Sequence, residues 1–121
     1  MKESIVKNKS FEFSLKIIEL YKISLEQKEF VLSKQLLRSG TSIGANINEA
    51  LAAVSTADFA YKMSISSKEA RESLYWLELL EKSQIVKFDF KPFILDCEEL
   101  VKMLTSIVKT AQNSTGKTRR A

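Results

Sequence analysis

Leu36-Leu-Arg-Ser-Gly-Thr-Ser-Ile-Gly-Ala-Asn-Ile47, written LLRSGTSIGANI, admits two readings with opposite consequences for the fold. Its centre, Gly40-Thr41-Ser42-Ile43-Gly44, fits G-x-S-x-G, the turn that presents a nucleophilic serine between a strand and a helix in many hydrolases. The flanking residues give a different account. Leu32, Leu36, Ile43, Ile47 and Ala50 fall within about 60° of one another at 100° per residue, so the pentapeptide lies inside one long helix. A nucleophilic serine also needs a base, and the chain contains no histidine. Gly40 and Gly44, with the small residues Ser39, Ser42 and Ala45, are therefore read as a place of close helix approach. That gain must offset roughly 1 kcal/mol for each mid-helix glycine.

Working outward, three more segments carry apolar residues at three- and four-residue spacing, and no alternating run suggests a strand. The first spans about residues 9–26, with Ser10 as its N-cap and Phe11, Leu15, Ile18 and Leu25 as its buried stripe, flanked by Leu20 and Tyr21. The segment around LLRSGTSIGANI covers about 29–53. The third covers about 56–83, with Ser55 and Thr56 as cap and Phe59, Met63, Ser66, Ala70, Leu74 and Leu77 facing the core. The fourth covers about 90–112 and has the cleanest periodicity: Phe90, Phe93, Ile94, Cys97, Leu100, Val101, Leu104, Ile107, Val108 and Ala111. Pro92 fits only the first turn of that helix. Four long helices with short connectors predict an all-α, antiparallel up-down-up-down four-helix bundle over residues 1–112. Residues 113–121, polar and basic, are expected to form a disordered tail.

Composition agrees with this architecture. A chain of 121 residues with three glycines and one proline fits one helical domain. The single Cys97 lies on the core stripe as a small hydrophobe and cannot form an internal disulfide. No stretch reads as a membrane span or a signal peptide, so a cytoplasmic protein with no membrane partner is expected. Formal net charge is +4, but Lys117, Arg119 and Arg120 supply three of those charges and leave 16 basic against 15 acidic residues in positions 1–112.

The missing histidine removes Ser-His-Asp and Cys-His triads, HExxH zinc sites and the Glu-x-x-His di-iron sites of helical bundles. Residues 111–118, AQNSTGKT, satisfy a relaxed phosphate-loop pattern but follow a helix instead of a strand, which excludes a nucleotide cradle. Two S-x-x-K matches lack their companion motifs. Pairs such as Glu69 with Glu72 and Glu98 with Glu99 read as solvated helix faces. No catalytic residue, metal, cofactor or small-molecule substrate is expected.

Two faces remain. On the second helix Gln35, Arg38, Ser42, Asn46 and Glu49 form a polar seam beside the core stripe. On the third, Tyr61, Ile65, Glu72, Trp76 and Leu79 lie away from the core and form a partly aromatic surface suited to assembly. A hairpin turning near residue 55 sets Arg38 level with Glu72, although both point away from the shared core. Either one side chain arches around its helix or the pair forms between subunits.

The segments Gln35–Ala50, Asp58-Phe59 and Lys68–Leu77 together resemble the four-helix-bundle proteins first recognised as open reading frames within 23S rRNA intervening sequences, over roughly residues 10–112. The resemblance implies a cytoplasmic homopentamer without enzymatic activity, in which Arg38, Ser42, Asn46, Glu49 and Glu72 serve structure or assembly. Related bundles are accessory proteins of retroelements, where a basic surface is thought to engage nucleic acid. An RNA or ribonucleoprotein partner is therefore expected, with Lys117, Arg119 and Arg120 as candidate contacts. The alternative is a protein interaction scaffold with no nucleic-acid role.

Overall fold

The computed structural model describes residues 2–120, and side chains through residue 114. Four helices account for nearly all of it: α1 Lys2–Glu26, α2 Leu32–Leu51, α3 Thr56–Ser83 and α4 Lys91–Arg120. No strand occurs among the described residues. Each neighbouring pair runs antiparallel. Along α1, Lys2, Lys9 and Lys16 meet Ser106, Glu99 and Asp96 of α4, in descending order. Ser10 and Ile17 lie against Gly44 and Gly40 of α2 in the same sense. The most extensive packing joins α2 to α3 and α3 to α4, while α1 closes the bundle against α2 and, more lightly, against α4.

Local chemistry sets the helix ends. The Glu29 carboxylate is buried and accepts from the backbone N–H groups of Val31, Leu32 and Ser33 at 3.0, 2.6 and 3.2 Å, and from the Ser33 hydroxyl at 3.1 Å. It satisfies donors that the first turn of α2 would otherwise leave unpaired, and its charge suits the positive end of the helix dipole. Ser55 caps α3 by accepting from the Asp58 N–H at 3.0 Å, and Gln84 ends that helix in the left-handed region at φ 56°. Asp89 accepts from the Lys91 N–H at 3.3 Å at the start of α4, with Pro92 in the first turn. Gln27 ties the two connectors at this end together, donating to the Lys87 carbonyl at 2.9 Å and accepting from its N–H at 2.7 Å.

The core stripes of α2, α3 and α4 are those the periodicity marks: Leu36, Ile43, Ile47, Met63, Ala70, Leu77, Phe90, Cys97, Leu100 and Leu104 are all buried. Helix α1 departs from expectation in two ways. It begins at Lys2, so Ser10 is not an N-cap but a buried mid-helix residue donating to the Lys7 carbonyl at 2.9 Å. Residues 2–8 contain no helix breaker, and Val6 continues the apolar line inward. The buried stripe is Val6, Phe13, Ile17 and Leu20, whereas Phe11, Leu15 and Ile18 are 63%, 51% and 37% exposed and Leu25 is exposed with them. On a wheel the two stripes lie roughly 135° apart. The inner one prevails because it seats Ser10 on Gly44 and Ile17 on Gly40, where the missing β-carbons of α2 let the two helices approach closely.

The backbone of α4 continues through Arg120, into the stretch expected to be an unstructured tail. The side chains of residues 115–120, including Lys117, Arg119 and Arg120, lie outside the described residues.

Candidate functional site

The polar seam and the α3 surface converge on one cluster. Arg38 of α2 reaches Glu69 Oε2 through Nη1 at 3.2 Å and pairs with Glu72 Oε2 through Nη2. Trp76 Nε1 donates to the same Glu72 oxygen at 3.0 Å. The Arg38–Glu72 pair therefore forms within one chain. Its long guanidinium side chain arches over the α2–α3 junction, which a wheel built on Cβ directions does not capture. The Trp76 indole N–H, followed by the Arg38 guanidinium, holds the Glu72 carboxyl below its usual range against the opposing effect of partial burial. Arg38 is shifted upward in turn, chiefly by its hydrogen bond to Glu72. Glu69 was readable in the sequence only as a solvated carboxylate; its position one turn before Glu72 was the available signal.

The rest of the seam is bonded locally. Ser42 Oγ donates to the Arg38 carbonyl at 2.7 Å, and Asn46 Nδ2 donates to the Ser42 carbonyl at 2.9 Å. Gln35 and Glu49 are exposed. Ser42 thus sits mid-helix with its hydroxyl committed to its own backbone, and no base adjoins it.

Behind the seam the helices come together on small residues. A Cβ added at Gly40 would stand 3.1 Å from both Cγ1 and Cγ2 of Ile17, and one at Gly44 would stand 3.3 Å from Ser10 Oγ. Across the α2–α3 junction Ser66 donates to the Ile43 carbonyl at 2.8 Å and Ser73 to Ser39 Oγ at 2.8 Å. These contacts were missed because each needs the tertiary register. No buried side-chain nitrogen or oxygen among the described residues lacks a partner.

The chemistry available is limited. Burial pushes the Cys97 thiol up to about 12, and its Sγ donates to the Ala70 carbonyl at 3.3 Å, so it is not a thiolate nucleophile. No group of three or more metal-ligating side chains occurs among the described residues. No helix among them is long and apolar enough to cross a membrane.

What remains is surface. Phe11, Leu15 and Ile18 line an open groove whose other wall is Thr41, Gly44 and Ala45 of α2. On α3, Ile65, Trp76 and Leu79 are half-buried and Tyr61 is exposed. The assembly surface expected on α3 is therefore partly occupied by the chain's own Arg38–Glu72–Trp76 cluster. The α1 strip, which the misread stripe concealed, is the more open apolar face.

Comparisons with known proteins point one way. The family model described as 23S rRNA-intervening sequence protein matches residues 2–106. A crystal structure of a protein of unknown function from the S23 ribosomal protein family, from Bacteroides thetaiotaomicron, is similar at 52% identity and a TM-score of 0.86. The similarity covers 90% of this chain and 99% of that one. No curated protein matches the sequence.

Proposed function

The chain belongs to the 23S rRNA-intervening sequence protein family, and from that premise we propose that it is a non-catalytic, self-assembling bundle that serves as an RNA- or ribonucleoprotein-binding accessory in the cytoplasm. The observation that carries the assembly is α1 itself. It packs one apolar stripe inside the bundle and leaves a second, Phe11, Leu15 and Ile18, facing outward beside Thr41 and Ala45. A helix with two apolar faces suits burial on two sides. The assembly implied by the resemblance is a homopentamer. A five-membered ring needs heterologous contacts, so the α1–α2 groove would meet a different patch on the next subunit. The half-buried Ile65 and Leu79 beside Trp76 supply one.

The non-catalytic reading is supported by the lack of histidine and by the committed hydroxyl of Ser42. The RNA reading draws on the family's name and on a sequence pI near 9.2. The scaffold alternative draws on the nearly balanced charge of residues 1–112.

Native mass by light scattering, with an inventory of copurifying nucleic acid, tests both parts. The reading expects a mass several times that of one chain, reduced by Phe11→Glu, together with RNA that is released at moderate salt. A native mass of one chain removes the assembly. Absence of RNA binding at low salt leaves the scaffold.

A further inference from the structure

Beyond assembly, the outer face between α3 and α4 has a different character from the rest of the surface. Tyr61, Lys68, Arg71 and Tyr75 fall within about 80° of one another along α3. Lys102 and Lys109 fall on one line of α4. The antiparallel register that joins Arg71 Nη2 to Thr105 Oγ1 at 2.8 Å sets Lys109 level with Lys68 and Lys102 level with Tyr75. All four cations are exposed, and none forms an ion pair among the described residues, unlike Lys9, Lys16, Lys22 and Arg38. Three carboxylates border the face: Glu72, one turn after Lys68, and Glu78 and Glu98 toward the α3–α4 connector end. Lys68 adds to the attraction holding the Glu72 carboxyl below its usual range, but that carboxyl is committed to Arg38 and Trp76. The two tyrosines are 62% and 58% exposed, and Tyr75 is held edge-on to Trp76 at 5.1 Å. Thr105 fixes Arg71 from the other side, because its hydroxyl donates to the Val101 carbonyl at 2.7 Å while accepting from the guanidinium.

We propose that this α3–α4 face is an RNA-binding surface that takes a single-stranded segment, with phosphates on Lys68, Arg71, Lys102 and Lys109 and bases stacked on Tyr61 and Tyr75. The proposal rests on the RNA reading above and moves the contact from the C-terminal basic residues to the body of the bundle. Unpaired cations interleaved with exposed aromatic rings are the combination that single strands require: charge tracks the backbone, and rings stack bases without regard to sequence. Tyr61 and Tyr75 stand about 21 Å apart along the helix, by a rise of about 1.5 Å per residue, which suits a strand of several nucleotides. An acidic protein segment would use the lysines but leave the tyrosines without a role. The face is on the far side of the bundle from the α1–α2 groove and borders the Ile65–Leu79 patch through the contact of Tyr75 with Trp76, so in an assembled ring the strand would run along the edge of the subunit contact.

The test is fluorescence anisotropy of the full-length protein with a fluorescein-labelled oligo(U) strand across a salt series. Four phosphate contacts predict a slope of log K on log salt of about −2.8, and Arg71→Gln with Lys102→Gln should make it shallower by about 1.4. Tyr75→Ala should weaken binding by between about 5-fold and 150-fold, and Tyr75→Phe should restore it. Lys22→Gln with Lys34→Gln, which removes equal charge from α1 and α2, should change little. If the wild type binds but the two double variants weaken equally, or Tyr75→Ala binds as wild type, the assignment of this face is overturned while the RNA reading stands. Displacement by polyglutamate as effective as by unlabelled oligo(U) would also overturn it, in favour of an acidic protein segment. No binding by the wild type at low salt ends the RNA reading and this proposal with it.

Discussion

The contact between Gly40 and Ile17 is the sharpest test of how α1 sits. A β-carbon at position 40 would meet Cγ1 and Cγ2 of Ile17 at 3.1 Å, where carbon atoms prefer about 3.5–4.0 Å. Gly40→Ala therefore sets two terms of similar size against each other: a helix-propensity gain of about 1 kcal/mol and an overpacking cost of about 1–3 kcal/mol. The net expectation is a destabilisation of about 0–2 kcal/mol. Gly40→Leu keeps the clash and adds three more carbons, so loss of the folded bundle or of its assembly is expected. Ile17→Ala alone should cost about 2–5 kcal/mol by opening a cavity. In the double variant the new methyl enters that cavity, the crowding vanishes and the propensity gain survives. The pair should then be more stable than the sum of the single changes by about 1–3 kcal/mol. Urea unfolding followed by circular dichroism reads all four proteins, at more than one concentration because self-association would shift the midpoint. Additivity within about 0.5 kcal/mol, or a soluble and correctly assembled Gly40→Leu protein, would show that the α1–α2 contact is misplaced.

Glu29→Ala removes the acceptor of three backbone N–H groups and should lower stability by about 1–3 kcal/mol, with Glu29→Gln recovering part of it; thermal melts of the three proteins decide. The folded-state pKa of Glu72 is depressed, so its contribution is fully present above the unfolded value near 4.5 and is lost as pH falls through the folded value. Urea midpoints should thus decline below that range, less steeply for Glu72→Gln, and Trp76 fluorescence should shift with the lost indole hydrogen bond. Cys97, buried with its thiol pushed up to about 12, should resist a thiol reagent at neutral pH and react only with unfolded protein; prompt labelling of the native protein would contradict the core assignment.

Most of the architecture was legible because in three helices one apolar stripe is plainly the stronger. In α2 and α4 the spacing that marks Ile43 or Leu100 leaves no competing face, and in α3 the second face of Tyr61, Ile65, Trp76 and Leu79 stays outside the core that Met63, Ala70 and Leu77 enter. The hairpin register between Arg38 and Glu72 was legible too, since a tight turn near residue 55 fixes heights. The arching of the guanidinium was not, because Cβ direction does not predict where a long side chain ends. Glu29 was hidden for another reason. Glutamate is not among the preferred N-cap residues, and its role depends on the chain folding back so that one carboxylate faces three amides.

The misreading of α1 and the assembly proposal have one physical origin. Phe11, Leu15 and Ile18 form as good a stripe as Phe13, Ile17 and Leu20, and the glycines of α2 decide between them by seating Ser10 on Gly44 and Ile17 on Gly40, with Ser14 donating to the Gly40 carbonyl beside them. The outward stripe is then left without a partner in a single chain. Fully burying one such side chain is worth about 1.5–3 kcal/mol, and these three already have between roughly a third and two-thirds of their surface covered, as their exposures state. The strip therefore contributes only a few kcal/mol, on the order of the lower end of the 4–15 kcal/mol that association costs. It cannot hold two chains together by itself. A stable contact must add the α2 wall of the groove and a second patch from the neighbour, so Phe11→Glu should weaken assembly while each subunit keeps its own fold, whose core it does not touch.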